Sequence, residues 1–148
     1  MSHLKECQVT IEADLGANNQ VQFELHSQYK KNGGLSFNNR RKDDYYLVTF
    51  KLDDDTRLGL KFPPNASDAI WVARNRKGAR KASCPSRRGT VPDVQPLYVT
   101  PSGRELVVFN RNANKQKLGF RLNFLDSSVP PNQYKHDPPW ENGNGGAR

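Results

Sequence analysis

Apolar and polar residues alternate along most of this chain, and this period of two constrains the fold more than any other feature. "QVTIEADL" places alternate residues from Val9 to Leu15 on one face of an extended segment, and "YYLVTFKL" does the same from Tyr46 to Leu52. Successive side chains of a β-strand point to opposite faces, so such runs predict strands with one buried face. No window shows the spacing of an amphipathic helix. We therefore predict an all-β protein.

Eight segments carry the strand signal, with turn signals between them. They are residues 8–15, 20–25, 45–52, 57–62, 68–74, 96–100, 104–110 and 117–125. Many short strands at this spacing are typical of an antiparallel β-sandwich, immunoglobulin-like or, as the alternative, a jelly roll. The last two segments, "RELVVFN" and "KLGFRLNFL", are expected to pair as a hairpin. Helix is expected only as one short turn around "PNASD", which Ser67 could initiate.

The chain length of 148 residues fits one domain, which we predict to span residues 1–126. Residues 127–148 form a tail rich in Pro, Asn and Gly, and its last six residues are expected to be disordered. Residues 28–44 and 74–92 are expected to be long polar loops. The predicted framework is thus one sandwich with two long loops and a C-terminal tail.

The tail contains "YKHDPPWENGN", which follows the two strands of the predicted hairpin. Its Asp137, Pro138, Trp140 and Asn142 resemble a motif near the C-terminus of the DP-EP family, a group of small bacterial proteins. The resemblance covers about the last third of the chain. It implies a compact β-sandwich and implies no activity. The basic segment described next is not part of the family pattern.

Positive charge is concentrated in one stretch, "RNRKGARKASCPSRRG", from Arg74 to Gly89. Residues 74–148 carry fourteen Lys and Arg against five Asp and Glu, whereas residues 1–73 carry nine against ten. The stretch itself holds seven cations and no acidic residue: Arg74, Arg76, Lys77, Arg80, Lys81, Arg87 and Arg88. Lys and Arg at this density attract phosphates, and they do so without reading sequence.

Three interpretations of this basic stretch stay open. It is a solvated loop, a surface that contacts nucleic acid or another polyanion, or a surface for an acidic protein partner. Binders of single strands also stack bases on aromatic rings, and no aromatic residue occurs between Arg74 and Thr90. Trp71 precedes the stretch, but it is expected to face the core.

Trp140 is the second candidate binding residue, because a large apolar ring in a polar tail is costly to leave exposed. The indole either folds back to close the end of the sandwich or docks in a groove of a second copy or another protein.

Nothing in the sequence predicts catalysis or a cofactor. The chain has no G-x-S-x-G, H-E-x-x-H or phosphate-binding loop motif, and its two cysteines, Cys7 and Cys84, lack metal-ligand spacing. Asp53–Asp55 is interpreted as a turn, since consecutive carboxylates do not follow a calcium-loop pattern. A signal peptide and a membrane-spanning segment are also absent from the sequence, so we expect a cytoplasmic protein.

The function predicted from these observations is that of a non-enzymatic interaction or structural module. Its expected partner is another protein or a second copy of the chain, contacted through the loops and the tail. The alternative is binding of nucleic acid or another polyanion through residues 74–89. No membrane partner is expected.

Overall fold

Two β-sheets packed face to face form the part of the chain that the computed structural model describes, residues 3–37, 44–74 and 85–142. The strands are β1 (His3–Leu15), β2 (Val21–His26), β3 (Lys30–Lys31), β4 (Gly34–Phe37), β5 (Asp44–Asp54), β6 (Ile70–Arg74), β7 (Val94–Val99), β8 (Glu105–Asn110), β9 (Gln116–Leu125), β10 (Gln133–His136) and β11 (Pro139–Asn142). One turn of 3-10 helix (Ala17–Asn19) follows β1, and a short helix, α1 (Ala66–Ala69), precedes β6.

The first sheet, sheet A, has the strand order β2-β1-β5-β8-β7. The second, sheet B, has the order β10-β9-β11-β4-β3. β10 and β11 pair with successive parts of one edge of β9, and β6 pairs with the opposite edge. The predicted all-β sandwich is confirmed. Both sheets are mixed, however, because β1 pairs with β5 and β11 with β4 in parallel.

The core lies between the two sheets and consists of the residues that alternation assigned to one face. From Val9 to Ala13 the odd-numbered side chains are buried, and from Tyr46 to Leu52 the even-numbered ones are. Leu118, Phe120, Leu122 and Phe124 line the facing side of sheet B and are also fully buried. Leu15 was predicted to join this face, but 41 % of it is exposed because β1 ends there.

The predicted hairpin between residues 104–110 and 117–125 is wrong. β8 lies in sheet A between β5 and β7, whereas β9 lies in sheet B. The connecting segment crosses between the sheets and is held by the buried carboxylate of Asp93, which accepts hydrogen bonds from Arg111, Asn114 and Gln116. Alternation shows which face of a strand is buried, but it carries no information about which strand lies alongside.

Three predicted segments also differ from the structure in detail. Residues 57–62 form no strand, although Lys61 bridges to Leu125 and both Leu60 and Phe62 are buried. The polar segment 28–44 contains β3 and β4, which are joined through Asn32 and Gly33, both at positive φ. The turn at "PNASD" is α1, and its cap is Asn65 rather than Ser67: the Asn65 side chain accepts a hydrogen bond from the Ser67 amide.

The sandwich does not end at residue 126, because β10 and β11 belong to sheet B. Both pair antiparallel with β9, and β11 then connects β9 to β4. Prolines at 130, 131, 138 and 139 confine the pairing to two short strands, since proline cannot donate to a ladder. The predicted disordered end, residues 143–148, lies outside the described residues.

Candidate functional site: a basic groove beside the edge strand of sheet B

A groove of about 680 Å³ lies beside β6, on the side away from β9, and contains three of the predicted phosphate contacts. One side consists of residues 72–74 of β6, and the other of residues 85–91. Arg74, Arg87 and Arg88 all line it, and all three side chains are exposed. We call this the basic groove. It brings together arginines from both ends of the stretch that the sequence singled out.

The groove has a fixed floor because its two sides are hydrogen-bonded. The amide of Val72 donates to the carbonyl of Gly89 over 2.8 Å, which continues sheet B by one bond beyond β6. The hydroxyl of Thr90 donates to the carbonyl of Val94 at the start of β7. Val72 and Val91 are buried, so the apolar part of the groove is anchored in the core.

The three arginines differ in how they are held. The Nε of Arg88 lies 3.2 Å from a carboxylate oxygen of Asp68, on α1, with both side chains about half exposed. Arg74 and Arg87 make no ion pair within the described residues. A half-exposed ion pair in water contributes little to stability, so Arg88 can exchange Asp68 for a ligand anion at small cost.

The other predicted residues of the basic stretch, Arg76, Lys77, Arg80 and Lys81, lie outside the described residues. In the sequence they stand between the two sides of the groove.

Trp71 lies on the outer face of sheet B, which corrects the prediction that it faces the core. Its neighbours Ile70 and Val72 are the buried pair, so Trp71 points the other way and is partly exposed. Arg121 stands directly opposite it on β9, and the guanidinium carbon lies 4.3 Å from the centre of the indole. The sequence contains half of this signal, since alternation along "KLGFRLNFL" places Arg121 on the face opposite to Phe120 and Leu122. It could not show that the two strands pair in this register.

Trp140 lies in the core with 1 % of its surface exposed. Its ring packs against Phe37 and Phe120, and its Nε1 donates to the side-chain oxygen of Asn142 over 2.9 Å. Asn142 exchanges two hydrogen bonds with Asn110 of β8, each 2.9 Å long. The structure thus places Trp140 where the first of the two predictions put it, folded back into the sandwich, and not on a binding surface.

Two other ionisable side chains, those of Asp54 and Cys7, have structural roles in the fold. Asp54 organises the turn after β5 by accepting hydrogen bonds from Thr56 and from the Leu60 amide. Burial alone would raise the pKa of Asp54, but these hydrogen bonds and the charge of Arg104 lower it below its usual value. Burial raises the pKa of the Cys7 thiol to about 11, so it is protonated at neutral pH. Within the described residues, no three His, Cys, Asp or Glu side chains are grouped to hold a metal ion.

The described part of the chain has no helix of the length and apolarity needed to cross a membrane. The sequence matches no protein-family model and no curated protein. The resemblance to the DP-EP family therefore stays a prediction that rests on the residues of β11 and the turn before it.

Proposed function

We propose that this β-sandwich binds the phosphate backbone of nucleic acid in the basic groove, without performing chemistry on it. The observation that carries the proposal is the convergence of Arg74, Arg87 and Arg88 on one groove from two separate segments. We extend the proposal to Arg76, Lys77, Arg80 and Lys81, which the chain carries between those segments. A cytoplasmic location, where nucleic acid is available, belongs to the same proposal.

The expected binding is dominated by counterion release. Each phosphate neutralised contributes a slope of about −0.9 to log K against log salt on duplex DNA and about −0.7 on single strands. Three contacts therefore predict a loss of affinity of roughly 20- to 40-fold between 50 and 200 mM salt. Arginine pairs with phosphate oxygens in a fork geometry, so these contacts position the backbone but do not read the bases.

Fluorescence anisotropy with labelled DNA and RNA oligonucleotides at several salt concentrations tests the proposal. The variant Arg74→Gln/Arg87→Gln should bind more weakly and should reduce the salt slope by roughly 1.4 to 1.8, because two contacts are lost. The matched control is Lys31→Gln/Lys51→Gln, which removes the same charge from exposed positions on β3 and β5, away from the groove. It should change affinity only slightly.

Absence of binding at 50 mM salt would overturn the proposal. So would an equal loss of affinity in the two variants, since that result would reflect net charge and not the groove.

Self-association is the second candidate function, and the outer face of sheet A favours it. Tyr45 and Phe109 pack edge to face there at 5.7 Å, and Leu47 lies beside Phe109 in register. Tyr98, opposite Val107 on the edge strand, is 55 % exposed. Outer faces of sandwich sheets are commonly polar, so this aromatic patch is suited to a contact.

The chemistry around the patch points to a second copy of this chain as its partner. On the same face, Glu12 has Glu24 on one side and Asp53 on the other, which places three carboxylates in one row. Lys30 partly balances this row, with its Nζ 3.7 Å from Glu24. The acidic face of one copy complements the basic groove of another, and such a contact between unlike surfaces is heterologous.

A further inference from the structure

Trp71 and Arg121 form a pair on the outer face of sheet B, with the Arg121 guanidinium over the indole ring. We propose that an unpaired nucleic-acid base stacks on this pair, so that the ligand of the basic groove is a single strand. This inference rests on the proposed function and narrows it to one class of nucleic acid.

Arg121 is fixed in place before any ligand binds. Its guanidinium carbon lies 4.3 Å from the centre of the Trp71 ring, and its Nε donates to the side-chain oxygen of Asn123 over 2.6 Å. The Asn123 amide in turn donates to the carbonyl of Asp68 over 2.9 Å, so its own orientation is set. A stacking group that is already ordered loses little conformational freedom on binding.

The charge of Arg121 is not neutralised locally. Among the residues that the structure describes, it forms no ion pair, and its polar contact is with the neutral amide of Asn123. Arginine planes stack on bases as aromatic rings do, and their charge also attracts the neighbouring phosphates.

The pair and the basic groove are parts of one surface. Ala73 lines the groove and projects from the same face of β6 as Trp71, about 6.6 Å further along the strand. Asp68 also contacts both parts. Its backbone carbonyl accepts a hydrogen bond from Asn123, and its carboxylate forms an ion pair with Arg88. A strand with phosphates in the groove can therefore place a base on Arg121.

Only an unpaired base offers a free face for this contact, since bases in a duplex are stacked on one another. Single strands should consequently bind more tightly than duplexes of equal charge. Stacking of one base corresponds to roughly a 5- to 100-fold gain in affinity.

The test compares oligothymidylate and oligouridylate with an abasic oligonucleotide of the same length and charge, by fluorescence anisotropy. The thymidylate should bind roughly 5- to 100-fold more tightly than the abasic strand. Arg121→Lys keeps the charge but loses the plane, so it should remove most of that difference and leave the abasic affinity unchanged. Lys51→Arg, an exposed change on β5 of sheet A, is the matched control and should leave both affinities unchanged.

The outcomes separate this inference from the proposed function. If both oligonucleotides bind with equal affinity in a salt-dependent way, stacking is wrong and the groove contact stands. If neither binds at 50 mM salt, the proposed function itself is wrong. A second readout is intrinsic fluorescence: thymidylate should quench tryptophan emission in the native protein and much less in Trp71→Phe, which keeps the buried Trp140.

Discussion

His136 is a titratable side chain placed where its charged form is disfavoured. It projects from β10 toward the core, and its ring lies 5.7 Å from that of Phe23. Its Nε2 is buried and has no hydrogen-bond partner among the described residues. Burial lowers the pKa of His136, and the nearby carboxylate of Asp137 opposes this effect only in part.

This placement makes stability depend on pH. A histidine with an ordinary pKa of about 6.5 when unfolded binds a proton more readily in the unfolded state. The contribution of neutral His136 to the stability of the fold is therefore fully present above the pKa of the unfolded state. It is lost as the pH falls through the lower pKa of the folded state. The melting temperature of the native protein should fall between pH 7.5 and 5.5 by more than that of His136→Phe, as measured by circular dichroism.

The comparison between the two proteins cancels the effect of the other histidines, including His26 beside Glu12. Equal falls in melting temperature would show that His136 does not contribute to the pH dependence.

Strand β11 is the element that holds sheet B together, and a core side chain and a buried hydrogen-bond pair anchor it. Trp140→Ala should lower the free energy of unfolding by about 3–5 kcal/mol, because it removes a fully buried indole and leaves a cavity. Chemical denaturation measures this loss. Trp140→Phe should cost less, since it keeps an aromatic ring in the core and the Asn142 oxygen still accepts a hydrogen bond from Asn110. Lys135→Ala, exposed on the neighbouring strand, should change stability within about 0.5 kcal/mol.

A small effect of Trp140→Ala would mean that the tail contributes little to folding and that the sandwich ends near residue 126 after all. That outcome would also return Trp140 to the set of candidate surface residues.

At the level of elements, the sequence predicted local properties and missed pairings between distant residues. The inner faces of β5 and β9 were predicted correctly because alternation is a local property that burial enforces. β10 and β11 were missed because four prolines obscure the strand signal and because β11 depends on contacts with Leu118 and Leu35, far away in the sequence. The same limit explains Trp71, whose partner on β9 is fifty residues distant.

The charge distribution of the whole molecule leads to a prediction about its oligomeric state. If the outer face of sheet A contacts the basic groove of a second copy, association should rise with concentration and weaken with salt. Tyr98→Lys should weaken it, because it replaces an aromatic contact by a cation facing the arginines, and so should Arg74→Gln/Arg87→Gln, as measured by sedimentation velocity. Leu15→Lys is the control, because it places the same charge on an exposed apolar residue near the end of β1.

A monomer at every concentration would remove this second candidate function. An effect of Tyr98→Lys without an effect of the arginine variant would indicate a contact between two identical faces. Competition with oligonucleotide would instead support an overlap of the two surfaces.

The site could be predicted from the sequence only in part. Arg74, Arg87 and Arg88 were found because charge density is visible without a fold. The basic groove and the pair of Trp71 with Arg121 depend on which strand lies beside β6, and no local pattern specifies that neighbour.

The order of strands in sheet B also determines when its strands can pair during protein synthesis. Among the described strands, β11 connects β4 to β9, so Leu35 and Phe37 have no strand partner on that side until residues 139–142 have left the ribosome. About a hundred residues are synthesised in between, at some 5–20 residues per second. During those seconds one edge of β4 has no partner, and an apolar strand with an open edge is a suitable substrate for a chaperone acting on the nascent chain.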